Sequence, residues 1–157
     1  MASINNQILI IDFDTLSDTL KNSTESDIRF SEVDSMSVVW HGNYVKYLED
    51  GREAFGRQYG LGYLDVYKNK VMTPVVKLDL DYKQYIAYGD RIIIETEFVN
   101  TAAAKIIFNY KIYRASDRKL ALTAKSIQVF VETDGTLLLT NPPFYEEWKK
   151  KWNLPVG

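Results

Sequence analysis

The chain of 157 residues has no cysteine. That excludes disulfide frameworks, thiolate nucleophiles and zinc–thiolate sites. It has a single histidine, His41, so no histidine-rich metal cluster can form and no metal is expected. Neither sign of charge dominates. Lys and Arg number 19 and Asp and Glu 21, a formal net charge of −2, which is a poor electrostatic footprint for nucleic acid. No apolar run approaches the roughly 18 residues of a membrane-spanning helix. The opening MASINNQILIIDFD lacks a basic n-region and turns acidic early, unlike a secretory signal. The expectation is a cytoplasmic protein with no nucleic-acid or membrane partner. Prolines are few, at 74, 142, 143 and 155, and there is no internal repeat, low-complexity tract or flexible linker.

What is present reads as one globular domain. The length suits a single unit, and a composition of 46% hydrophobic, 13% aromatic and 25% charged residues is that of a packed chain. Residues 1–25 read as an N-terminal extension, with a short strand at Gln7–Ile11 and a short helix at Asp14–Asn22. The segment 22–27 reads as loop. The main domain is expected over 26–140 and a helical tail over 141–157.

Within the domain, Ile28–Val33 alternates apolar and polar residues and predicts a strand. A helix is expected over about Asn43–Tyr59. At 3.6 residues per turn, Tyr44, Tyr47, Leu48, Gly51, Phe55 and Tyr59 share one face, while Lys46, Glu49, Asp50, Glu53 and Arg57 share the other. Gly51 in the apolar stripe, where glycine is unfavourable by roughly 1 kcal/mol against alanine, points to close approach between this helix and a sheet. Gly60 reads as the helix stop. From Pro74 the period changes to 2, with Val76, Leu78, Leu80 and Tyr82 on one side. Strands are expected again at Arg91–Val99, Lys105–Arg114 and Lys119–Glu132, joined by short links into an antiparallel meander. In the tail, Asn141 suits an N-cap and Pro142 the first helical position. Tyr145, Trp148 and Trp152 share a face, and Lys149–Lys151 complement the helix dipole. A single helix over one sheet face suggests that a second copy completes the burial.

The segment 33-VDSMSVVWHGNYVKYLEDGREAF-55 concentrates the chemistry. It holds the one histidine, a carboxylate after a strand, and a helix start with unpaired N–H groups. Such N–H groups polarise a carbonyl, and an adjacent carboxylate activates water or attacks directly. On residue type and spacing alone, Asp34 reads first as a turn or cap residue and His41 as a structural histidine, with catalysis the minority reading.

The run from Val33 to Tyr44, continuing through Tyr47–Phe55, resembles the hotdog-fold acyl-CoA thioesterases of the 4-hydroxybenzoyl-CoA thioesterase-like branch. The shared pattern is an Asp, six residues, a His, one residue and Asn-Tyr opening the central helix. The later 79-DLDYKQYIAYGDRIIIE-95, with its Tyr-Gly-Asp turn, is a weaker marker of the same fold. The resemblance implies an α+β hotdog fold, an antiparallel sheet of about five strands wrapped around one long helix, with the N-terminal extension and a short C-terminal helix added. It implies hydrolysis of an acyl-CoA, or of an acyl carrier protein thioester, to acid and thiol, with no cofactor beyond the coenzyme A of the substrate. Asp34 becomes general base or nucleophile and His41 the residue whose backbone N–H polarises the carbonyl. Trp40 lines the acyl pocket, and Asn43 and Tyr44 orient. A homodimer or homotetramer with the site between chains is expected. The sequence departs from the pattern in Ser37 for glycine, Trp40 for tyrosine and Tyr85 for proline. Glu49 is a reserve catalytic candidate. The alternatives are a hotdog dehydratase or hydratase and a non-catalytic acyl-CoA-binding module.

Overall fold

The structure, a computed structural model, describes residues 19–156. The strand expected at 7–11, and most of the helix expected at 14–22, lie outside those residues. The chain runs through β1 (Lys21–Asp27), α1 (Tyr44–Tyr59), α2 (Tyr63–Tyr67), β2 (Val71–Met72), β3 (Val75–Tyr82), β4 (Arg91–Val99), β5 (Lys105–Arg114), β6 (Leu120–Val129), β7 (Val131–Glu132) and α3 (Pro143–Lys151). Five strands form one antiparallel sheet in the order β1-β4-β5-β6-β3, and β2 pairs with β7 apart from it.

β4 and β5 alternate buried and outward residues along most of their length, and β6 does so after the adjacent buried pair Ala121 and Leu122. They pair as consecutive hairpins, as their short links require. Their inner face supplies Ile92, Ile94, Phe98, Phe108, Ile112 and Leu122 to the core. β3 departs from the expected meander. It pairs with β6 rather than with its sequence neighbour β4, because β1 already occupies the open edge of β4 along Lys21↔Glu97 to Asp27↔Arg91.

β1 overturns two expectations. The 22–27 segment is strand, not loop, and Lys21 and Asn22 are extended rather than helical. Its sequence KNSTESD has poor strand propensity, but strand formation follows pairing and context more than propensity. Here seven ladder positions and the ion pairs of Arg91 with Asp27 (2.7 Å) and Glu25 (3.4 Å) hold it. Ile28–Val33, expected as strand, instead contains a 3-10 turn at Phe30–Glu32. Its alternation does not match burial: Ile28 is inside while Phe30 is 76% exposed. The Glu32 carboxylate accepts the Arg29 backbone N–H at 2.7 Å and closes the turn.

α1 keeps its expected face, burying Tyr44, Tyr47, Leu48, Gly51 and Phe55, and it lies over β1 and β4. A β-carbon on Gly51 would stand 2.6 Å from both Ile94 Cγ2 and Thr96 Oγ1, so the helix approaches the sheet to a distance that excludes any side chain there. Gly60 ends the helix at φ 74°. α3 starts one residue later than expected, with Pro142 as N-cap and Pro143 as first helical residue, while the Asn141 side-chain amide donates to the Val156 carbonyl. The indole N–H groups of Trp148 and Trp152 both donate to the Tyr59 carbonyl, at 2.8 and 2.9 Å, tying the tail to the end of α1. Lys149 faces inward rather than the helix end, and its ammonium donates to the Thr101 carbonyl at 2.7 Å. Among the described residues no helix is long and apolar enough to cross a membrane.

Candidate active site

Asp34 opens a tight loop. Its N–H donates to the Val38 carbonyl at 2.8 Å, the Ser37 N–H returns to the Asp34 carbonyl at 3.0 Å, and Val33 bridges Val39. Asp34 Oδ1 accepts the Met36 N–H at 2.8 Å, the self-capping that Asp favours in turns. Oδ2 makes no hydrogen bond among the described residues. Ser37 sits at φ 59°. The serine that stands where the family pattern has glycine thus adopts the left-handed conformation glycine prefers, so the bend is kept at the expense of local strain.

The loop is held from two sides. Glu32, just upstream, offers one carbonyl to both the Trp40 N–H (2.9 Å) and the Asn43 side-chain amide (2.8 Å). This crosslinks the segment before Asp34 to the start of the helix. On the other side lies the turn 83–90. The Ile86 carbonyl accepts the Val39 N–H at 2.8 Å, Tyr88 N–H donates to the Ser37 carbonyl at 2.9 Å, and Val38 bridges Ala87. The Asp90 carboxylate caps this turn by accepting the Ala87 N–H at 2.9 Å, which gives the Tyr-Gly-Asp marker a structural job.

The helix starts with a 3-10 turn, His41–Asn43, continuous with α1. The Asn43 N–H is taken by the Trp40 carbonyl at 2.9 Å. The N–H groups of His41 and Gly42, first in the helix, have no intrahelical carbonyl to meet. The Trp40 ring lies on Gly42, where a β-carbon would fall 2.1 Å from it, and its centroid is 4.7 Å from the imidazole of His41. The Tyr82 hydroxyl donates to the His41 carbonyl at 2.6 Å. Tyr44 is buried with its ring edge-on to Tyr82, centroids 5.3 Å apart, and burial pushes its phenol above the ordinary value. A cavity of about 330 Å³ opens here, walled by Val39, His41, Tyr44, Tyr82, Lys83, Gln84 and Tyr85.

The five candidate residues therefore divide. His41 and Tyr44 wall the cavity. Trp40 covers the helix start and is half exposed, at 50%. Asn43 is buried and serves the Glu32 crosslink. Asp34 stands in the adjoining loop, outside the cavity walls and with no hydrogen bond to His41. Glu49, the reserve, is exposed and paired with Arg52 at 3.1 Å. It lies eight positions beyond His41, about 12 Å along a helix. Sequence reasoning did not pick out Glu32, Tyr82, Ile86 or Arg114. All four act on or through backbone carbonyls.

Larger cavities lie elsewhere, including one of about 650 Å³ between α2 and β2 lined by Tyr63, Val66, Tyr67 and Met72. The cavity at His41 is set apart by its place at the start of the long helix, beside the loop that bears Asp34.

One long helix laid on an antiparallel sheet, with its N-terminus facing an acid-bearing loop at the sheet's end, defines the hotdog class. Within that class the chain belongs to the thioesterase-like superfamily, which matches it over residues 28–151. It is 28% identical to the Bacillus subtilis (strain 168) protein YneP, provisionally named an acyl-CoA thioesterase, over 79% of this chain and 89% of that protein. Its fold matches the DHNA-CoA thioesterase of Staphylococcus aureus with a TM-score of 0.76 at 25% identity, covering 85% of this chain and 91% of the other. It also matches the 4-hydroxybenzoyl-CoA thioesterase of Pseudomonas sp. strain CBS-3 with a TM-score of 0.71 at 24% identity, covering 82% and 98%. That last likeness is one of fold.

Proposed function

We propose that the chain hydrolyses an acyl-CoA thioester to a carboxylic acid and free coenzyme A. The observation that carries this reading is the double tether that holds the Asp34 loop against the helix start: the Glu32 carbonyl on one side and the Ile86 carbonyl on the other. A thioester carbonyl placed over the N–H groups of His41 and Gly42 is polarised by them and by the helix dipole. Asp34, through Oδ2, takes a proton from water as the water oxygen bonds to the carbonyl carbon. The resulting oxyanion rests on the same N–H groups. The C–S bond then breaks, and the departing thiolate receives the proton. In the nucleophilic variant, the carboxylate oxygen attacks first and water cleaves the mixed anhydride.

Trp40 and Tyr44 border the acyl group in this reading, and Asn43 acts only by fixing the helix start. The carboxylate of Asp34 is partly engaged, since Oδ1 holds the Met36 N–H, but Oδ2 remains for chemistry. A binding module would need neither oxygen. A 4-hydroxybenzoyl-CoA thioesterase among the matching structures was captured with 4-hydroxybenzoyl-CoA bound in an Asp-to-Asn variant, a precedent for the substitution that tests this reading.

The test is thiol release from short, long and aromatic acyl-CoAs by wild type and Asp34→Asn. The expected outcome is turnover by wild type and a loss of roughly a hundredfold or more in the variant, with the fold unchanged. Equal turnover in both proteins would move the base elsewhere, Glu49 first. Binding without turnover in wild type would make the protein an acyl-CoA-binding module, and hydration of an enoyl-CoA without thiol release would make it a hydratase.

The same reading makes the working unit a homodimer. β3 is an edge strand of eight residues, and α1 covers the opposite side of the sheet, over β1 and β4. Exposed apolar side chains gather towards both ends of β3. Tyr63, Leu64, Tyr67, Met72 and Val76 lie towards its start, and Trp40, Tyr82 and Tyr85 towards its end. Antiparallel pairing of two β3 strands about a two-fold axis sets the first group of one copy against the second group of the other, which encloses both cavities at once.

A further inference from the structure

We propose that Arg114 is a positioning residue for this site: its guanidinium clamps the 83–90 turn, and that turn sets where the Asp34 loop stands relative to the helix start. The proposal rests on the reading of Asp34 and the helix start as the reacting groups. Arg114 ends β5, yet its side chain is only 14% exposed, and all three guanidinium nitrogens are engaged. Nε donates to both Asp117 oxygens, at 3.1 and 3.2 Å. Nη2 donates to Asp117 Oδ2 at 2.7 Å and to Gln84 Oε1 at 3.4 Å. Nη1 donates to the Tyr85 carbonyl at 3.2 Å. Asp117 fixes the plane of the fork, and the opposite edge of the fork grips the turn.

From that grip an unbroken series of backbone contacts reaches the site. The residue after Tyr85 is Ile86, fully buried, whose carbonyl accepts the Val39 N–H at 2.8 Å, while Tyr88 holds the Ser37 carbonyl at 2.9 Å. The Val38 carbonyl in turn receives the Asp34 N–H at 2.8 Å. A planar fork with five N–H groups serves a carboxylate and a carbonyl together. A lysine ammonium, a single point on a flexible stem, does not. Arg114→Lys therefore keeps the charge and removes the clamp. Reacting groups misplaced by about 1 Å lose roughly a hundredfold in rate, so loosening of part of that size lowers kcat while leaving substrate binding in place.

The experiment compares full-length wild type, Arg114→Lys and Asp117→Asn by acyl-CoA thiol release and by residue-resolved amide hydrogen exchange. Expected is exchange about tenfold faster at Val39 and Tyr88 in both variants, with the β5 amides of Tyr110 and Ile112 unchanged. In Arg114→Lys, kcat is expected to fall about tenfold with KM within about twofold. Wild-type exchange at Val39 and Tyr88 in both variants overturns the proposal. So does a rise in KM with kcat unchanged, which would make Arg114 a substrate contact, or faster exchange throughout β5, which would make it a general stabiliser. If Arg114→Lys does not fold, Asp117→Asn, which changes a partly exposed carboxylate, decides by the same exchange readout. Absence of thiol release by wild type would sink the thioesterase reading alone, since the exchange data judge the clamp without it.

Discussion

At Ser37 the backbone holds φ 59°, a conformation that places an L-residue's β-carbon against the following carbonyl and costs about 1–2 kcal/mol. Only main-chain atoms of Ser37 take part in the loop's hydrogen bonds, to Asp34 and Tyr88, so a glycine preserves all of them. Glycine loses more chain entropy on folding, roughly 0.5–1 kcal/mol. The net expectation for Ser37→Gly is a gain of about 0.5–1 kcal/mol, read as a higher urea midpoint at unchanged m-value. An unchanged or lower midpoint would mean that the serine is not strained there. The same residue marks how far the site was legible. The spacing of Asp34, His41, Asn43 and Tyr44 carries a family pattern, with Trp40 standing where that pattern has tyrosine. Glu32 and Ile86, which hold that pattern in place, contribute carbonyl oxygens, and every residue type has one. Tyr82 looked like the last member of an alternating strand, and nothing in its neighbours announces a hydroxyl aimed at the His41 carbonyl.

At the scale of elements, α1, β4 and β5 were legible because each carries a long periodic stripe that matches its burial, and β3 because its apolar residues alternate, although only Leu78 and Leu80 of that stripe are half buried. β1 was not, because KNSTESD has no apolar residue and its strand state comes from pairing with β4 and from contacts with α1, including those of Tyr59 with the Lys21 backbone. The order of strands was hidden for a related reason: pairing of β3 with β6 rather than β4 is decided by which edge β1 fills, a non-local competition. Gly51 was the one residue whose local cost foretold a contact between elements, and that contact gives a prediction. A β-carbon at 2.6 Å from Ile94 Cγ2 and Thr96 Oγ1 forces α1 away from the sheet or displaces two buried side chains. Alanine is better than glycine in a helix by about 1 kcal/mol, but overpacking a tight interface costs about 1–3 kcal/mol. Gly51→Ala is therefore expected to destabilise, with a lower thermal midpoint despite the gain in helix propensity. A midpoint at or above wild type would show that α1 has room to rise.

For the whole molecule, the question is what covers the edge strand. Among the described residues β3 leaves one row of N–H and C=O groups unpaired, and natural edges of this length are usually blunted by charge, proline or a bulge; β3 has only a register shift between Val75 and Lys77 at its start. Here Lys77, Asp79 and Asp81 point to the outer face, opposite α1, as their register with β6 shows. The inner side bears Leu78 and Leu80, half buried, and Val76, at the register shift, is 59% exposed. Met72 in β2 and Val76 in β3 lie at the other end of β3 from Tyr82, and the proposed pairing of two β3 strands would set them beside Trp40 and Tyr82 of a second copy. Met72→Asp and Val76→Asp change exposed positions, so the monomer's own core is not disturbed. Placed in a paired edge, each carboxylate loses water without gaining a partner. The expected result is a wild-type mass of two chains by light scattering, a mass of one chain for the double variant, and a thiol-release rate that falls with dissociation while circular dichroism is unchanged. Wild-type protein that runs as a monomer and turns over at full rate on dilution would show that the cavity at His41 works without a second copy.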